Sequence, residues 1–184
     1  MVLDISNKKD LIKNVDYIRD NNIVFEDICK IGSSEDLLFN IMYFKHVNSI
    51  ICIPDCLYAY RRDNSQSYTS ICKTELTNQW SYLYSLIYNS IVGDKHLEEC
   101  LSNRKALGAI GILLNEYGRR KGILNRYNNY KRALGADIFK GVFDNLDVSY
   151  MPIYWKCFFL AIKYNKIFFL TFLIELIQII RHCR

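Results

Sequence analysis

Apolar positions recur along this chain with two different periods, and the change between them divides it. In KKDLIKNVDYIRD (8–20), Leu11, Val15 and Ile18 fall at helical spacing. That pattern predicts a short amphipathic helix, broken at Asn21-Asn22. Ile23-Val24-Phe25 is a brief continuous apolar run and predicts a strand. Gly32-Ser33-Ser34 reads as a loop whose serines cap the helix after it. That helix, Glu35 to Val47, gathers Leu38, Ile41, Met42 and the stem of Lys45 on one side. It places two acids in its first turn, where the helix dipole favours them. Two further strands are expected at 50–53, where Ile50, Ile51 and Ile53 cluster, and at 57–60, Leu57-Tyr58-Ala59-Tyr60. Pro54-Asp55 turns between them, and Arg61-Arg62-Asp63-Asn64-Ser65 forms a polar loop.

Beyond this loop the period is helical throughout. Leu76, Trp80, Leu83, Tyr84, Ile87 and Ile91 mark one stripe. Asp94 caps a second helix running towards Gly118, with Leu97, Leu101, Ile110 and Leu114 among its apolar positions. A third helix is expected over about 128–143, and Ser149 and Pro152 open a fourth that ends near Tyr164. A last one runs from Lys166 to Arg181. The expected fold class is therefore α+β, mostly α: an α/β segment over 1–70, then an all-helical region over 71–184.

Composition narrows the class. With 51% apolar and 23% charged residues, the chain has the makings of a packed core rather than a disordered segment. Seven cysteines stand at 29, 52, 56, 72, 100, 157 and 183. No pair has C-x-x-C spacing, and no histidine or second cysteine pair completes a zinc set around Cys52 and Cys56, so reduced thiols are expected. MVLDISNKKD at the start has no apolar core of an export signal, so a cytoplasmic location is expected. The net charge of +5 is unevenly spread. From Met151 onward, Lys156, Lys163, Lys166, Arg181 and Arg184 face a single acid, Glu175, which leaves the first 150 residues near neutrality. That balance speaks against a distributed nucleic-acid surface.

Taken alone, Glu35-Asp36 says little, because an acidic pair in a first helical turn ordinarily serves the dipole. Its setting says more. Phe25, then Glu35-Asp36-Leu37-x-Phe39, a helix, the Ile50–Ile53 run, and finally Leu57-Tyr58-x-Tyr60-Arg61 with Ser65 form an ordered series. This series, from Ile23 to about Tyr68, is similar to the acceptor side of bacterial family 2 GT-A glycosyltransferases. Members of that family carry an ED motif at a helix start, commonly within EDLLF, followed by a Y-x-Y-R strand and a polar loop ending in Ser. The resemblance implies inverting transfer of a sugar from a nucleotide-sugar to a glycan or lipid-linked glycan acceptor. It assigns Asp36 as the general base and Glu35 as an acceptor-binding or supporting carboxylate. Arg61 falls to the leaving diphosphate, where a guanidinium offsets developing charge, with Arg62 and Ser65 as neighbouring substrate contacts.

Departures from the family also shape the expectation. The chain reads GSSEDLLF where GEDLLF is usual, and it contains no D-x-D. In the complete family enzyme a nucleotide-binding sheet ends in D-x-D and holds Mg²⁺ or Mn²⁺ on the diphosphate. No cofactor is expected on this chain alone, and transfer is expected to need a donor-binding domain or partner chain. The alternative is a non-catalytic interaction or membrane-docking module descended from such an enzyme.

The last apolar run, Ile167–Ile180, interrupts its hydrophobicity only at Thr171, Glu175 and Gln178. Its 14 residues fall short of the roughly 20 needed to span a bilayer. Two roles fit: a core helix, or an in-plane helix on the inner face of an anionic membrane, flanked by Lys163, Lys166, Arg181 and Arg184.

Overall fold

The computed structural model describes residues 15–45, 47, 72–119 and 122–182. Helix α1 is seen at 15–20. Left-handed Asn22 ends it (φ 52°), and the Ile23 N–H turns back to the Ile18 carbonyl at 2.9 Å. Helix α2 (Ile28–Ile31) follows, capped by Asp27, whose side chain accepts from the Cys29 N–H at 2.9 Å. Helix α3 (Glu35–Phe44) comes next. The rest is α4 (Leu76–Ile91), α5 (Lys95–Arg119), α6 (Ile123–Leu134), a 3₁₀ turn at Asp137–Phe139, α7 (Ile153–Lys163) and α8 (Ile167–His182).

No strand occurs among the described residues, so the α+β expectation gives way to an all-helical one. Ile23–Phe25 shows why the apolar run misleads. A strand needs a ladder, and here the Ile23 N–H is already spent on closing α1. Only Ile23 enters the core, at 4% exposure; Val24 and Phe25 are 66% and 61% exposed. Phe25 instead stacks on Phe39 of α3, ring centroids 4.2 Å apart and nearly parallel. The strands expected at 50–53 and 57–60 lie outside the described residues.

The helices of the C-terminal region fall close to where their periodicity puts them, except α6. It starts at Ile123, before the expected 128, and ends at Leu134, with Gly135 still right-handed (φ −78°) and donating to the Lys131 carbonyl at 3.1 Å. Phe139, Val142 and Phe143, within the span expected to be helical, are buried from the 3₁₀ turn and the irregular chain after it.

Packing runs from helix to helix: α2 and α3 against α4, α4 against α5, α5 against α6, α6 against α8, and α8 against α7. One cluster of buried apolar side chains joins all of them, from Ile31 and Leu38 through Leu83, Ile112 and Phe159 to Leu170 and Ile174. Two glycines let α4 and α5 approach closely. A Cβ at Gly111 would stand 2.8 Å from Trp80 Cη2, and one at Gly108 would stand 2.8 Å from the Tyr84 hydroxyl. Helix α8 is held to α6 by polar contact as well. Arg126 donates to both oxygens of Glu175, at 2.6 and 2.7 Å, while its guanidinium lies 3.8 Å above the Tyr117 ring.

Helix α8 is apolar on its packed side and on its exposed side. Ile167, Leu170, Thr171, Ile174 and Gln178 face the core, whereas Phe168, Phe172, Leu176 and Ile179 are exposed. No helix among the described residues is long and apolar enough to cross a membrane.

Candidate functional site

The first turn of α3 is positioned from the loop before it. Gly32 sits at φ 77°, a backbone conformation that glycine adopts without strain, and a Cβ there would stand 2.7 Å from Gln79 Oε1. Ser34 is itself left-handed (φ 65°), and no serine caps α3 through its side chain. The serines do different work from the expected capping: Ser33 Oγ accepts from the Trp80 indole N–H at 3.0 Å. Gln79 Nε2 donates to the Cys29 carbonyl at 2.8 Å. Two consecutive residues of α4 thus grip the segment 29–33 from one side.

Lys73 grips it from another. Its ammonium donates to the Gly32 carbonyl, and its backbone is paired with Asn115 of α5 in both directions. Asn115 Oδ1 accepts from the Lys73 N–H at 2.7 Å, and Asn115 Nδ2 donates to the Lys73 carbonyl at 2.8 Å. Partial burial lowers the Lys73 pKa, and the negative charge of Glu35 opposes that shift. The loop is therefore fixed by α4 and by Lys73, which α5 holds through Asn115, so the direction in which α3 starts is set by packing.

Glu35 and Asp36 stand together at this start, as the sequence implies. Glu35 is half-buried on the Lys73 side; Asp36 is exposed, and its Oδ1 accepts from the Leu37 N–H at 2.8 Å. Leu37, the next residue, lines a cleft of about 1180 Å³ between α3, the end of α4 and the start of α5. The cleft floor is apolar, with Ile41, Ile87 and Leu101, and Lys45, Lys95 and Arg104 are the cations on its walls. Arg61, Arg62 and Ser65, the expected substrate contacts, lie outside the described residues. So do the strands that would carry them.

The described residues hold no group of three or more His, Cys, Asp or Glu that could bind a metal ion. The Mg²⁺ or Mn²⁺ implied by the resemblance finds no donor set there. Cys29, Cys72, Cys100 and Cys157 are free thiols.

Sequence reasoning missed the residues that aim the site. Lys73, Gln79, Trp80 and Asn115 act through long-range hydrogen bonds that no local spacing signals. It also missed Glu116, buried at 6% exposure. That one was detectable: Glu116 follows Ile112 by four and Leu113 by three, which puts a charge on the buried stripe of α5. Compared with known proteins, the chain matches no family model, no curated protein and no solved structure.

Proposed function

We propose that this chain is the acceptor-side part of a glycosyltransferase, with Asp36 as the general base and the nucleotide-sugar carried by a separate donor-binding domain or chain. The observation that carries this reading is Asp36 itself. It is an exposed carboxylate at the start of a helix whose direction is locked by Lys73, Gln79 and Trp80, beside a residue that lines a large cleft. The EDLLF series in which it sits supplies the reaction class. In that reaction an acceptor hydroxyl oxygen attacks the anomeric carbon from the face opposite the leaving diphosphate. The new C–O bond forms as the sugar–diphosphate bond breaks, the diphosphate leaves with the electron pair, and the hydroxyl proton passes to Asp36. No step is assigned to a metal on this chain.

The test has two arms. Alone, the chain is expected not to bind a nucleotide-sugar in calorimetric titration with Mn²⁺ or Mg²⁺. A metal-dependent Kd below about 1 mM would overturn the separate-donor assignment. Joined to a donor-binding domain, Asp36→Asn is expected to lower turnover by a factor of at least ~100 with the circular dichroism spectrum unchanged. Near-normal turnover would return Glu35-Asp36 to the role of a helix-start pair.

A second reading, a module that docks on an anionic membrane, has its own observation. The outward face of α8 presents Phe168, Phe172, Leu176 and Ile179 at helical spacing, and Lys166 stands exposed at the helix start. Docking by itself fits the first reading too, since a lipid-linked acceptor lies in a membrane; loss of Asp36-dependent transfer with docking retained would favour the non-catalytic module.

A further inference from the structure

The large cleft beside α3 is a furrow rather than a round cavity. α5 lines it from Asp94 to Arg104, about 15 Å of helix, and α3 lines it from Leu37 to Lys45, about 12 Å. α4 contributes Ile87 and Ile91. The volume of about 1180 Å³ exceeds the roughly 300–1,000 Å³ usual for compact ligands. Apolar lining reaches the edges of the furrow, where Phe44, Val92 and Leu97 are exposed. Covering it with an apolar body removes that surface from water.

Charge decides what kind of body fits. Lys45, Lys95 and Arg104 stand exposed on the walls, and none of them forms an ion pair among the described residues. Asp94 also lines the cleft, but its Oδ1 accepts from the His96 and Leu97 N–H groups at 3.0 and 3.1 Å. It caps α5 and leaves the wall cations unmatched. Glu98 is likewise engaged, accepting from the Gly93 N–H at 2.9 Å. A cationic amphiphile would meet three like charges, and a compact anion would leave the apolar floor in water. A single hydrocarbon chain with a negative end satisfies both parts, and it brings in no polar group that the floor cannot pair.

We infer that this cleft binds a long-chain fatty carboxylate, its chain along Leu37, Ile41, Ile87 and Leu101 and its carboxylate on the cationic walls. Such a ligand carries neither sugar nor phosphate, and its binding is independent of whether Asp36 acts as a base. Cys100 belongs to the same lining; its thiol is exposed, with Sγ 4.0 Å from His96 Nε2. A bound chain covers this thiol. Cys29 and Cys72, also exposed, lie away from the cleft and keep their access to solvent.

Calorimetric titration of the full chain with decanoate tests the site, with decanol and decylammonium as neutral and cationic chains of equal length. Decanoate is expected to bind saturably with a Kd below about 1 mM, more tightly than decanol, with decylammonium the weakest. Lengthening the chain from octanoate to decanoate is expected to tighten binding by about fourfold per added CH₂. Saturating decanoate is expected to slow alkylation of Cys100 by iodoacetamide severalfold, read by peptide mass spectrometry, with Cys29 and Cys72 unchanged. Lys45→Gln, Lys95→Gln and Arg104→Gln together, all at exposed positions, are expected to weaken decanoate by roughly fivefold or more while decanol binds as before. Leu97→Glu, at the exposed edge of the apolar lining, is expected to weaken both. No saturable binding of decanoate, equal or tighter binding of decylammonium, or protection at Cys29 or Cys72 in place of Cys100 would each overturn the inference. So would unchanged decanoate affinity in the triple variant. A Cys100 already closed to iodoacetamide without ligand would also overturn it, because a second copy or another part of the chain would then fill the cleft.

Discussion

Among individual residues, the Arg126–Glu175 pair carries the clearest energetic consequence. Both side chains are mostly covered, and the pair bridges two helices separated by 49 positions in sequence. Burial works against the Arg126 charge, yet its hydrogen bond to Glu175 and the Glu175 charge outweigh that, so the guanidinium pKa is raised. Removing one partner strands the other. Glu175→Ala is expected to lower unfolding free energy by about 2–3 kcal/mol, below the 3–5 of a fully buried pair because both groups keep some water. Urea denaturation at neutral pH measures it. A loss under about 0.5 kcal/mol would mean that α6 and α8 are held by their apolar contacts alone. Tyr130, fully buried nearby, follows the same electrostatics: burial and the Glu175 charge raise its phenol pKa.

The element with the sharpest division of labour is α8. Its inward stripe and its outward stripe are both apolar, but only the first is packed. Leu170→Ala, at a fully buried position, is expected to cost about 2–5 kcal/mol. Phe168→Ser with Phe172→Ser is expected to change stability by less than about 1 kcal/mol, because those rings touch little. The same double variant is expected to lose most co-sedimentation with anionic vesicles at low salt, while the parent chain binds and is released as salt shortens the Debye length from about 10 Å at 0.1 M to about 3 Å at 1 M. Equal binding by parent and double variant, or none by either, would sink the docking reading.

The contrast between helices also shows what sequence could reveal. α4, α5, α7 and α8 were legible because each keeps an apolar stripe over three or more turns, long enough for the period to declare itself. α2 was not: it spans only four residues and is defined by Asp27 and Gly32 at its ends rather than by any repeat. Ile23–Phe25 failed for the opposite reason, since a three-residue apolar run has no period and burial alone decides its fate. In the candidate site, Glu35 and Asp36 were legible as a local pair. The hydrogen bonds that aim them, from Lys73, Gln79 and Trp80, connect residues more than 40 positions apart and leave no local trace.

For the molecule as a whole, continuity of the core makes its own prediction. Buried side chains form one cluster from Ile31 to Ile174, with no apolar gap between the α3 side and the α8 side. Thermal unfolding followed by near- and far-ultraviolet circular dichroism is therefore expected to give coincident, single transitions. Two separated steps would show that the cluster is divided into independent units.

The helix-to-helix order of packing has a consequence for how the structure is reached. α4 meets α5, α5 meets α6, and α7 meets α8, each pair adjacent in the chain, and α6 reaches α8 across a single intervening helix. From α4 onward, among the described residues, few loops must close over long stretches of backbone, so this part of the chain has the low contact order that favours rapid folding. During synthesis the α4–α5 hairpin can form as soon as Arg119 has emerged, burying Trp80 against Gly108 and Gly111 before α8 has been translated. α8, the most apolar of these helices, is made after them and meets a partner surface already assembled, which shortens the time its buried stripe spends in water.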